Sequence, residues 1–104
     1  MTKIYFTQNN GEWVGFRISG HTGKAEEGKD VLCSAISTAS QMAVLAIVQV
    51  AKVKAEVENR DGFLSLTLDQ PNHDTQLIIE SLYQSLMYIC ENEKKYVKLE
   101  VKYV

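Results

Sequence analysis

Two side chains in this sequence are suited to nucleophilic chemistry near neutral pH, and a single glycine-containing stretch separates them. His21 follows Gly20 and precedes Gly23, and Cys33 follows Asp30. A thiolate is a strong nucleophile, and an imidazole is the group best suited to take up and return its proton. If Asp30 caps a helix, Cys33 falls at the third helical position, N3, where unpaired N–H groups and the positive end of the macrodipole favour a charged sulfur. The same N–H groups can donate to the oxyanion formed when sulfur attacks a carbonyl. Cys33 as nucleophile and His21 as general base and acid is the chemistry these residues suggest, and it would make the chain a cysteine hydrolase.

Blander readings fit the same residues. Free cysteine is among the most buried residue types, so Cys33 also fits a small core position. His21 also fits a turn, and Asp30 a cap with only a supporting part in any chemistry. Ser37 lies one turn past Cys33, with Ser40 or Gln41 beyond it, forming a polar stripe beside an apolar one. Cys90 follows Met87, Tyr88 and Ile89 late in a second helix, where the dipole disfavours a thiolate, and reads as packing. His73, beside Asp74, reads as a surface or capping residue. Glu26 and Glu27 read as a solvated acidic loop that would also attract a basic substrate, and Trp13 and Phe16 as packing within a hairpin.

The elements that must position these groups follow from periodicity. Residues 3 to 8 and 13 to 19 are rich in aromatic and β-branched types around Asn9-Asn10-Gly11, which predicts a hairpin. The stretch 20 to 29 holds Gly20, Gly23 and Gly28 among charges and predicts a loop. From Asp30, the residues Leu32, Ile36, Ala39, Ala43, Ile47 and Val50 recur at spacings of three and four, predicting a long helix. Beyond Met42 that helix is apolar on most sides, which calls for cover on more than one face, by a sheet and by a partner subunit.

Residues 54 to 58 and 63 to 69 predict a second hairpin with Asn59-Arg60-Asp61-Gly62 as its turn and Phe63, Leu64, Leu66 and Leu68 facing inward. After Gln70 to Asp74 comes a second helix with Leu77, Ile78, Leu82, Leu86 and Ile89 inward, and then a last strand from Tyr96 to Val101. The order ββαββαβ predicts an α+β fold, one mostly antiparallel sheet packed with two helices.

The bulk properties bound the rest. With 104 residues, 45% hydrophobic and 23% charged, the chain reads as a single globular domain over 1–104. A net charge of -2 with scattered Lys and Arg gives no cationic stripe, so no direct nucleic-acid partner is expected. The N-terminus reaches Gln8-Asn9-Asn10 before a secretory apolar region forms, and the uninterrupted apolar run from Met42 to Val48 is short for a membrane span, so a cytoplasmic protein without membrane contact is expected. Two cysteines are too few for a disulfide scaffold and lack the paired spacing of a zinc site, so no metal or other cofactor is expected.

The run SGHTGKAEEGKDVLCSAIS, Ser19 to Ser37, closely resembles the signature of the bacterial ribosomal-processing cysteine proteases, the Prp family: Gly-His, a glycine-containing loop, Gly-x-Asp-x-x-Cys and a helical Ser. Chain length and element order are similar throughout. The resemblance implies removal of a short N-terminal extension from a large-subunit ribosomal protein during ribosome assembly, with that segment as peptide substrate. It implies Cys33 as nucleophile and His21 as catalytic histidine, with Gly20, Asp30 and Ser37 at family positions around them and Gly23 in the loop. It also implies a homodimer and a mobile loop, here Thr22 to Lys29. The glycines of that loop suggest a mechanical part for it, lying over the cleft and ordering when peptide binds to complete the His21–Cys33 pair. The sequence departs from the family pattern at Thr22, where Ala is common, and at Lys24 and Glu27, where aromatics are common, which bears on loop closure and sequence preference. The competing functions are a noncatalytic ribosome-associated scaffold or assembly module with a merely packed Cys33, and a thiol acyltransferase built on the same pair.

Overall fold

Asn10 and Gly11 both adopt positive φ, 53° and 80°, the pairing of a tight turn whose twist matches that of two antiparallel strands. In the computed structural model, which describes residues 1–25 and 30–104, that turn joins β1 (Thr2–Asn9) to β2 (Glu12–Ser19). The helix α1 (Val31–Leu45) continues as a π-helical turn, Ala46–Val50, and is followed by the hairpin of β3 (Ala55–Arg60) and β4 (Phe63–Leu68), α2 (His73–Ile89) and β5 (Val97–Tyr103). The strands form one sheet in the order β3-β4-β2-β1-β5. Three neighbouring pairs are antiparallel and β1 pairs with β5 in parallel. The expected ββαββαβ order and mostly antiparallel sheet are those observed.

The core is a single cluster in which sheet residues Ile4, Phe6, Phe16, Ile18, Leu64 and Leu66 meet Leu32, Ile36, Ala43 and Ile47 of the first helix and Ile79, Leu82 and Leu86 of the second. Both helices therefore cover the same sheet face. Each is started by a side chain that accepts an otherwise orphaned N–H. Asp30 accepts from Cys33 N at 2.9 Å. Asn72 accepts from Thr75 N, and the Thr75 hydroxyl accepts from Asn72 N, both at 2.9 Å, a reciprocal capping box. His73, the first residue of α2, is exposed.

Several details differ from the sequence expectation, each for a local reason. Asn59 and Arg60 belong to β3 and pair with Leu64 and Phe63, so the turn is only Asp61-Gly62. Strict alternation in β4 buries Leu64, Leu66 and Leu68 and puts Phe63 on the outer side, where the Arg60 guanidinium stacks 4.1 Å from its ring centre. Val50 is exposed because the π turn, with Ala51 N bonded to Ala46 O at 2.8 Å, carries more residues per turn and rotates the end of α1 out of phase. In α2 the buried position is Ile79, and Leu77 is exposed, since Ile79 and not Leu77 shares the face of Leu82 and Leu86.

Trp13 packs beyond its hairpin. A register shift at Thr7/Gln8 lets both Trp13 and Phe16 face the helices. There the indole N–H donates to Glu80 at 2.9 Å, and the ring lies 5.1 Å from that of Tyr83. Val31–Val50 taken together is long and apolar enough, by length and composition, to cross a membrane, which the Met42 to Val48 run alone does not suggest. Its Leu32, Ile36, Ala43, Val44 and Ile47 side chains are committed to the sheet.

Candidate active site

The second strand ends at Ser19, and the chain must turn sharply there to bring the next residues toward the helix. Gly20 makes that turn at φ 87°, where a side chain would be strained and its Cβ would stand 2.5 Å from Met1 O. Its N–H donates to Gly62 O at 2.9 Å, which ties the strand end to the β3–β4 turn. His21 follows, exposed, with its imidazole beside that turn: a Cβ added at Gly62 would meet Nε2 at 3.2 Å. The missing side chain at Gly62 leaves room for the ring.

Cys33 reaches the same place from α1. It is half-buried, at N3 of the helix as Asp30 capping requires. His21 and Cys33 line one cleft of about 440 Å³ together with Gly20, Ser37, Ser40 and Gln41. Its far wall is Asn59, Arg60, Asp61, Gly62 and Phe63, and Asn59 bridges to Gln41 at 3.3 Å. Among the described residues no hydrogen bond reaches the imidazole of His21 or the sulfur of Cys33. Catalytic contacts of this kind commonly tighten only when substrate binds.

Of the six residues singled out from sequence, Gly20, His21, Cys33 and Ser37 share the cleft. Gly23 does not line it, and neither does Asp30. Asp30 lies behind, 7% exposed, and its carboxylate accepts from the Thr22 hydroxyl, from Lys24 N at 3.2 Å and from Cys33 N at 2.9 Å. Those bonds, the Thr22 hydroxyl first, hold its pKa below the usual carboxylate value. One consequence corrects the expectation for the helix start: the Cys33 N–H is already taken by Asp30, and Val31 and Leu32, which carry the first two N–H groups of the helix, do not line the cleft.

Ser40 is also narrower in its means than its type suggests, because it is buried and donates to Ile36 O at 2.7 Å. The expectations for Glu26, Glu27, Gly28 and Lys29, and with them half of the loop expected to close over the cleft, lie outside the described residues. Sequence reasoning missed the wall from Asn59 to Phe63, whose only local signal is a turn glycine. A larger, more apolar groove of about 850 Å³ runs between α2 and β5 past Met87, Tyr88 and Leu99, but it holds neither His21 nor Cys33.

The family model for the cysteine protease Prp matches residues 1–98. The chain belongs to the Prp family. It is therefore a cysteine protease, which sets aside the noncatalytic scaffold. Among solved structures this Prp-family chain is similar to the essential ribosomal processing protease Prp from S. aureus with a covalently linked product peptide, at 25% identity and TM-score 0.90, covering 98% of this chain and 100% of that one. The same S. aureus protease with a substrate peptide matches at 24% identity and TM-score 0.85, over 98% and 100% of the two chains. The protein SMU.848 from Streptococcus mutans matches at 24% identity and TM-score 0.80, over 100% and 96%, and shares the fold. No curated protein matches this chain.

Proposed function

We propose that this Prp-family protease cleaves an N-terminal extension from a large-subunit ribosomal protein during ribosome assembly, with Cys33 as nucleophile and His21 as general base and acid. The observation that carries the reading is that these two side chains, one from a strand end and one from a helix start, line the same cleft. That the similar S. aureus protease is a ribosomal processing enzyme seen with substrate and product peptides supports a peptide substrate.

The chemistry runs in two steps. Cys33 Sγ attacks the scissile carbonyl carbon while its proton passes to His21. The C–N bond then breaks, the amine leaves with the proton from the imidazolium, and the acyl group stays on sulfur as a thioester. Water, deprotonated by His21, hydrolyses the thioester and restores the thiol. The positive end of the α1 dipole, beside Cys33, favours the developing oxyanion. Ser37 and Gln41, further along the cleft, are placed to contact the peptide main chain.

The reading extends to the cytoplasm as the site of action, where thiols stay reduced, and to a homodimer. Met42, Leu45 and Val48, three apart along the outer side of the first helix, are 67%, 56% and 37% exposed, an apolar row that a second copy would cover. The test is incubation of the purified protein with the extended ribosomal protein, read by mass spectrometry. The wild type removes the extension, and Cys33→Ala and His21→Ala each lower the rate by about a thousandfold or more without loss of fold. Full cleavage by Cys33→Ala would overturn the assignment.

A further inference from the structure

Thr22 sits between two exposed neighbours, His21 and Gly23, yet is itself only 3% exposed. A buried hydroxyl needs a partner, and this one donates to Asp30 Oδ2. The other carboxylate oxygen, Oδ1, accepts the Cys33 N–H at 2.9 Å. One buried carboxylate therefore holds two stretches of chain at once, the residue that follows His21 and the backbone of Cys33. On the other side of His21, Gly20 N–H is bonded to Gly62 O at 2.9 Å. The histidine is thus slung between two anchored neighbours while its ring makes no hydrogen bond of its own among the described residues. Lys24 N–H, at 3.2 Å from Oδ2, adds a weaker strand to the same tie.

We infer that Thr22 is a positioning residue for the reaction proposed above, on which this inference rests: through Asp30, its hydroxyl holds the His21 segment against the helix start that carries Cys33. Thr22 does not line the cleft, and its buried hydroxyl is committed to Asp30. Its loss loosens the distance between imidazole and sulfur, which enters the chemical step and leaves peptide binding alone.

The experiment compares Thr22→Val, which keeps the shape and removes the donor, with Thr22→Ser, which keeps the donor. Steady-state cleavage of the extended ribosomal protein is measured alongside amide exchange over residues 31–33, with melting curves to establish that each variant is folded. Thr22→Val is expected to lower kcat about tenfold with KM within about twofold, and to speed exchange at the Cys33 amide. Thr22→Ser is expected to recover kcat to within about threefold of wild type. Wild-type kcat in a folded Thr22→Val, a Thr22→Ser variant as slow as Thr22→Val, or unaltered exchange overturns the inference. Cys33→Ala and His21→Ala run in the same assay separate the two claims: cleavage by either overturns the proposed dyad, and amide exchange alone then decides whether Thr22 makes the tie.

Discussion

The two cysteines of this chain stand at opposite kinds of helix end. Cys33 occupies the first turn of α1, half-buried, in a cleft shared with His21. Cys90 is the C-cap of α2, 8% exposed, with its own N–H spent on Leu86 O at 2.9 Å. Burial first, and the charge of Glu93 second, push the Cys90 thiol pKa above its ordinary value, and the carbonyl end of a helix works in the same direction. Polarity of the helix end and access to solvent, not residue type, make one thiol a candidate nucleophile and the other a piece of core.

The sharpest way to break that contrast is chemical labelling. At neutral pH the native protein should take up iodoacetamide at Cys33 at least about tenfold faster than at Cys90, read by peptide mass spectrometry. Equal rates in folded protein would erase the distinction. A smaller effect concerns the carboxylate behind Cys33. Because the folded pKa of Asp30 is lowered, its contribution to stability is present above the unfolded value and is lost as pH falls through the folded one. The melting temperature should therefore drop as pH falls below about 4, and Asp30→Asn, which still caps a helix, should flatten that drop. An unchanged slope would assign it to other carboxylates. The smallest effect is expected at the other thiol: Cys90→Ala should cost about 1 kcal/mol in denaturant unfolding and leave cleavage untouched. Lost cleavage in a folded Cys90→Ala protein would place Cys90 in the site.

What could be read from the sequence was what local chemistry decides. Asp30 as cap, Cys33 at N3, a turn within Asn9-Asn10-Gly11 and the alternating strands all follow from spacing within a few residues and are observed, with Asn9 itself in β1. The misplacements lie where a non-local or irregular feature overrides period. Val50 is turned out by a π turn, Trp13 is turned in by a register shift, and Ile79 replaces Leu77 because the contact with the sheet selects the face. The cleft was half legible. Gly20, His21, Cys33 and Ser37 carry a motif, whereas the wall from Asn59 to Phe63 reaches the site only through sheet pairing. The Thr22–Asp30 tie was hidden for a similar reason, since its meaning depends on both oxygens of one carboxylate facing different segments.

The parallel pairing of β1 with β5, Thr2 opposite Val97 through Gln8 opposite Tyr103, joins the earliest strand to the latest. On the ribosome, the hairpin of β1 and β2 and the helix bearing Cys33 emerge long before that partner exists, so β1 waits with one row of amide and carbonyl groups unpaired. Closing so long a loop is slow, and a nascent molecule would pass through a stage that holds every cleft residue while its sheet lacks an edge.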